Sequence, residues 1–233
     1  MRRLLSVLLL LTGCSSYETP TAADFRRLNL SPPAPPAATP IRVRISLDSR
    51  WLAGEFDGVV IARSGPSPVA RIQLFGDLGP KMIDLLARPE RVTGYFPQAR
   101  EGLDVRLPDQ ATPHPLLFLG VNLLEDLADI DEARVLGVQE RDDGWWLDLK
   151  PLVPGMRCEA LRGRDGRILE RRFTWMYGVG WTEVWKDATE SEVKASGVHL
   201  RIRLLATERV DPPVKAFELA IPADVQVVGR PAP

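Results

Sequence analysis

From Ile41 onward, apolar and polar positions alternate along the chain. Ile41, Val43, Ile45 and Leu47 are separated by Arg42, Arg44 and Ser46. A period of two is that of a strand with one face buried and one face wet. Strand-like runs follow at 54–63, 69–75, 81–87 and 91–97. They are divided by the turn signals Ser64-Gly65-Pro66, Gly76-Asp77-Leu78-Gly79-Pro80 and Arg88-Pro89-Glu90. Connections this short pair neighbouring strands antiparallel. A second set is predicted at 134–140, 145–149, 156–162, 167–176, 181–186, 198–206 and 214–219. Asp142-Asp143-Gly144 and Arg164-Asp165-Gly166 read as hairpin turns, and 187–197 as a polar loop. Roughly ten to thirteen strands at this spacing predict one large antiparallel sheet, curled into a barrel or part-barrel.

One stretch breaks the rhythm. Between Pro113 and Ala128, Leu116, Leu119, Leu123 and Leu127 recur near helical spacing, and Leu117, Phe118, Val121 and Leu124 widen the face. Thr112 is placed to cap a helix, and Pro113 and Pro115 suit its start. A helix that is apolar nearly all round must be buried or cover an apolar surface. Two readings follow. The helix lids a cavity in the concave face of the sheet, with Trp175, Met176, Trp181 and Trp185 suited to its lining, or it fills the concavity as core.

The chain before Ile41 has a different character. Arg2 and Arg3 precede an apolar run, Leu4 to Leu11, broken only by Ser6. That run falls well short of the roughly twenty apolar residues of a membrane-spanning helix and has the form of a secretory signal peptide. Leu11-Thr12-Gly13-Cys14 resembles the lipobox of bacterial lipoproteins. The resemblance implies cleavage after Gly13 and acylation of Cys14, so that the mature protein is anchored to a membrane without spanning it. The alternative is an ordinary signal peptide with an incidental cysteine. Ser15 stands where an inner-membrane retention signal carries Asp in enteric bacteria, which favours the outer membrane, facing the periplasm. Residues 15–30 are polar, with one or two helical turns expected within 22–30. Residues 31–40, SPPAPPAATP, hold five prolines. The domain division is then a signal peptide at 1–13, an acylated cysteine with a semi-rigid proline-rich tether at 14–40, and one domain at 41–233.

Composition narrows the function. Of 30 basic residues, Arg2 and Arg3 leave with the signal peptide, so 28 stand against 31 acidic ones, a net charge of −3. That balance excludes the basic footprint of a nucleic-acid-binding protein. Cys158 is the one cysteine left after Cys14 and is expected to be buried and inert. His114 and His199 belong to different elements and lack metal-ligand spacing. Neither a nucleophile elbow nor a phosphate-binding or dinucleotide loop is present. Glu125-Asp126 at a helix end and Asp142-Asp143 at a hairpin tip read as solvated charge. Asp84 interrupts an apolar run and falls on the face opposite Ile83, Leu85 and Ala87. No catalytic residue, metal site or cofactor is expected beyond a covalent lipid on Cys14.

The run Phe75-Gly76-Asp77-Leu78-Gly79-Pro80-Lys81-Met82-Ile83-Asp84-Leu85 is preceded by Ala70-Arg71-Ile72-Gln73-Leu74 and followed by Arg91-Val92-Thr93-Gly94-Tyr95-Phe96. Together these resemble LolA/LolB-like proteins, and more narrowly the LolB-type outer-membrane lipoproteins. The resemblance implies a strongly curved, unclosed antiparallel half-barrel whose hydrophobic cavity takes acyl chains beneath a helical lid. It assigns that lid to Leu116, Phe118, Leu119, Leu123 and Leu127, and a membrane-touching loop tip to Leu78. It implies lipoprotein acyl chains or another lipid as cargo, and a periplasmic carrier as donor. The proline-rich tether departs from the family's best-known members. The alternative function is a structural or assembly lipoprotein whose core is filled by its own side chains and whose rim binds a protein.

Overall fold

The computed structural model describes residues 17–30, 38–49, 53–63, 67–76, 79–107, 115–126, 130–175, 178, 180–207 and 212–228. Among them, fourteen strands form a single sheet. A first meander runs β1 (Ala38–Ser49), β2 (Ala53–Arg63), β3 (Val69–Phe75), β4 (Lys81–Arg88), β5 (Arg91–Phe96) and β6 (Glu101–Arg106). Helix α2 (Pro115–Asp126) follows. A second meander runs β7 (Val135–Arg141), β8 (Gly144–Leu149), β9 (Met156–Gly163), β10 (Ile168–Trp175), β11 (Gly180–Trp185), β12 (Glu190–Ala195) and β13 (Val198–Thr207). The two meanders join where β13 pairs antiparallel with β1, Leu200 opposite Leu47 and Ile202 opposite Ile45. A short β14 (Gln226–Val228) adds parallel to β6. The sheet order therefore ends in β14 on one side and β7 on the other, and it does not close.

Alternation decides the faces. Val43, Ile45 and Leu47 of β1, Ile72 and Leu74 of β3, and Ile83, Leu85 and Ala87 of β4 all enter one apolar cluster, which α2 shares. The expected part-barrel is present, with its apolar face wrapped around a helix.

Four segments differ from the expected elements, the short β14 among them. β12, ESEVKA, lies inside the stretch read as a polar loop. Its outer face carries charge because it is laced by ion pairs: Lys186 Nζ lies 2.6 Å from Glu192 and 3.2 Å from Glu190, and Arg203 Nε donates to Glu190 at 2.9 Å. Ser191 and Val193 face inward and are buried. β6 was not anticipated either, because buried side chains occupy both of its faces. Finally, the strand expected at 214–219 is a 3-10 turn, Val214–Phe217, laid on the outer face of the first meander. Phe217 packs there with Val69 and Leu86 in a second, small apolar cluster.

Asp84 holds that turn in place. It is on the outer face, as alternation requires, yet only 3 % exposed, because the C-terminal segment covers it. Arg71 donates to it at 2.8 and 2.9 Å, Lys81 at 2.8 Å and Gln73 at 3.1 Å. Arg71 Nη1 also donates to the Ala216 carbonyl at 3.0 Å.

The N-terminal segment is packed where it is described. Residues 17–30, assigned to a spacer, are packed against the domain. Helix α1 (Ala22–Leu28) begins with a capping box between Thr21 and Asp24 and ends at Asn29 in the left-handed conformation. Leu28 is buried in the main core, with Phe25 and Leu30 packed against it. The proline-rich residues 31–37 lie outside the described residues.

Candidate functional site: the concave face and helix α2

The inner face of the first meander is purely apolar where α2 meets it. Gly120 permits this approach. A Cβ there would stand 3.1 Å from Leu85 Cδ2 and 3.3 Å from Ala87 Cβ. Leu116, Phe118, Leu119 and Leu123, the lid residues of the sequence reading that fall within the description, are all buried in the shared core. Leu127, Leu78 and Cys14 lie outside the described residues, as do His114 and Met176.

Toward the second meander the packing becomes aromatic. Phe118 meets Trp181 edge to face, with ring centroids 5.0 Å apart, and Trp181 stacks on Phe173 at 4.8 Å. Beyond the aromatics, α2 presents polar groups to the sheet. Trp181 Nε1 donates to Asn122 Oδ1 at 3.3 Å, and Asn122 Nδ2 donates to Asp126 Oδ2 at 2.9 Å. Asp126 is ion-paired with Arg171 of β10. Glu125 is ion-paired with Arg134 and accepts the Leu152 N–H at 2.6 Å. Glu183 of β11, directly across from Arg171 in the register, is 0 % exposed.

Three carboxyl groups thus share two arginines inside the protein. Glu183 accepts no hydrogen bond from any N–H or O–H of the described residues, and its nearer contact to Arg171 is 4.0 Å. Burial, and then the charge of Glu183, push the Asp126 carboxyl well above the usual carboxylate range, against the opposing pull of Arg171. Glu183 thus lies buried beside an arginine already engaged by Asp126, and its charge is what Asp126 titrates against. Both arginines also stand at the C-terminal end of α2, where cations are favoured.

This cluster was missed in the sequence. Glu125 and Asp126 read as solvated because they end a helix. Arg171 and Glu183 sit in strands whose neighbours are also charged. The one available signal was the inward parity they share with Phe173 and Trp181.

A cavity of about 240 Å³ opens beside the cluster, with Ile168, Leu169, Arg171, Trp185 and Lys186 among its walls. Cys158, on the inner face of β9, is buried, and burial together with Glu125 pushes its thiol up to about 12, so it is unreactive. His199 is on the outer face with Nε2 3.9 Å from Glu192. Among the described residues no group of three or more His, Cys, Asp or Glu is placed to hold a metal ion, and no helix is long and apolar enough to cross a membrane.

No protein-family profile matches the chain, and no curated protein sequence matches it. Solved structures do. A LolA superfamily protein from Nitrosomonas europaea superimposes with a TM-score of 0.53 at 13% identity, over 80% of this chain and 92% of that one. A DUF1329 family protein from Desulfovibrio piger gives a TM-score of 0.56 at 11% identity, over 78% and 89%. A domain assigned to outer-membrane lipoprotein sorting, from Vibrio parahaemolyticus, gives 0.54 at 10% identity, over 78% and 89%. At these identities the likeness is one of fold, and the fold of this chain is the LolA-like unclosed half-barrel.

Proposed function

We propose that this protein is a LolB-type lipoprotein of the outer membrane, anchored through Cys14. Its concave sheet takes the acyl chains of a lipid or lipoprotein, and α2 is the lid. The observation that carries the reading is the mode of attachment of α2. The helix is apolar, occupies the concave face of an open sheet, and is held at its far end by side-chain ion pairs and not by the strand ladder. A helix so attached leaves without breaking the sheet. It exposes an apolar concavity in which each buried CH₂ stabilises a chain by about 0.8 kcal/mol. Leu78, on the Gly76–Pro80 turn, is the tip that touches the membrane, and a periplasmic carrier is the donor. The function is binding and release, with no reaction catalysed.

The complete burial of α2 favours a second reading, in which the core is simply filled and the protein serves assembly. A disulfide separates the two. Ala87 Cβ and a Cβ at position 120 would be 3.3 Å apart, close to disulfide geometry. In a soluble version beginning at Ser15, Gly120→Cys with Ala87→Cys locks α2 to β4 on oxidation. A carrier binds a fluorescent fatty-acyl probe saturably when reduced and loses binding when oxidised. Equal binding in both states removes α2 from the lid role. No binding in either state, with no lipid extracted from protein purified without detergent, establishes the filled core.

A further inference from the structure

The open sheet has an edge at β7, and unpaired edges are ordinarily covered or blunted. Here the chain covers it with its own N-terminal segment. Glu18 and Val138 exchange two backbone hydrogen bonds of 2.9 Å. Tyr17 lies on the outer side of the edge, its hydroxyl donating to Glu159 at 2.8 Å, with Arg157 5.9 Å from its ring. Gly137 makes room for it, since a Cβ there would stand 2.8 Å from Tyr17 Cβ. Beside Gly137 the register with β8 shifts between Val135 and Gly137, and Leu136 is turned out to solvent. At 55 % exposure it is the most exposed large apolar side chain among the described residues.

Chain length then sets a limit. Cys14 and Tyr17 are three residues apart, which is at most about 11 Å of extended chain. Tyr17 is fixed to the β7 edge. An acyl anchor on Cys14 therefore cannot leave the domain free on a long tether.

We propose that the β7 edge, with Tyr17 and Leu136, is a membrane-docking surface, held against the phospholipid bilayer by the acylated Cys14. The proposal rests on the lipoprotein reading of Cys14. It adds the orientation of the domain: the half-barrel lies with its open β7 edge on the lipid. Leu136 enters the apolar boundary, and Tyr17 sits at the interface, where an amphipathic ring is favoured. Arg134, which pins Glu125 of α2, immediately precedes this edge.

The test uses the full lipidated chain in vesicles of phosphatidylethanolamine and phosphatidylglycerol. A fluorophore is placed at Leu136→Cys or, as a control, at Ser196→Cys, an exposed turn position five strands along the sheet. Cys158, buried, does not compete for label. Brominated phospholipids should quench the label at 136 several times more than the label at 196. A ten-residue Gly/Ser insertion between Ser16 and Tyr17 should abolish that difference. Equal weak quenching at both positions, with Cys14 shown by mass to be acylated, overturns the docking and leaves the anchor reading intact. Quenching at 136 that survives the insertion overturns the chain-length argument on which the orientation rests. An unacylated Cys14 removes both the lipoprotein reading and the docking.

Discussion

Two buried aspartates in this protein respond to pH in opposite directions. Burial alone would raise the Asp84 carboxyl, but hydrogen bonds from Arg71, Lys81 and Gln73 hold it below its ordinary value. A depressed carboxyl contributes stability that is present above the unfolded pKa of about 4 and is lost as pH falls through the folded one. Asp84→Ala leaves the half-buried Arg71 without its carboxylate partner and loosens the C-terminal turn. The expected cost is about 3–5 kcal/mol, read from urea unfolding, as for a broken buried ion pair. A cost within the scatter of surface substitutions would mean that the clamp is replaced by solvent. Asp126 has the opposite sign. Its folded pKa is raised, so its contribution is greatest below about pH 4 and declines as pH rises toward the folded value. Glu183→Gln removes the competing charge and lets Arg171 neutralise Asp126. The variant's thermal midpoint is expected to fall less than the parent's between about pH 5 and about pH 8. Parallel curves for the two proteins would show that the charge of Glu183 does not raise the Asp126 carboxyl.

Helix α2 is two surfaces in one element. Toward β4 and β5 it is smooth, and Gly120 seats it over Leu85, Ala87 and Val92. Toward β10 and β11 it is keyed by Asn122 and Asp126, and Glu125 is held by Arg134 and the Leu152 N–H. Gly120→Val introduces two methyl groups and a β-branch where one added carbon already meets neighbours at 3.1 and 3.3 Å. Overpacking of this kind costs about 1–3 kcal/mol. The expected result is a lower denaturation midpoint with an unchanged urea slope, since the sheet remains intact. An unaltered midpoint would show that α2 shifts on the sheet without resistance. β12 makes a complementary point about elements. Glu190, Glu192 and Lys194 made it read as a loop, yet cross-strand ion pairs with Lys186, Arg201 and Arg203 let a strongly charged outer face lie on a buried inner one.

At the scale of the whole molecule, the sheet remains open because its two ends are finished differently. On one side the C-terminal segment returns across the outer face and adds β14 to β6. On the other the N-terminal segment pairs with β7 and sends Leu28 into the core. The ends of the chain thus stabilise both edges without joining them, and the concave face is filled from within by α2. This arrangement places Tyr17 and Glu18 at the β7 edge.

The sequence alone determined most strands of both meanders (β6 and β12 excepted), most of their turns, the apolar helix between them and the antiparallel pairing. Those follow from side-chain periodicity and short connections, which are local. It also placed Ile83, Leu85 and Ala87 inward and Asp84 outward, because parity along a strand needs no partner. Tertiary structure alone decided what lies on each face. Asp84 is buried because residues more than a hundred positions later cover it. Asp126 is interior because β10 brings Arg171 to the end of α2, and Glu125 because Arg134 and the Leu152 N–H meet it there. Residues 17–30 belong to the domain because β7 offers an edge to pair with. In each case burial depended on a distant partner, a charge, a hydrogen-bonding group or a strand edge, that a single strand or helix does not contain.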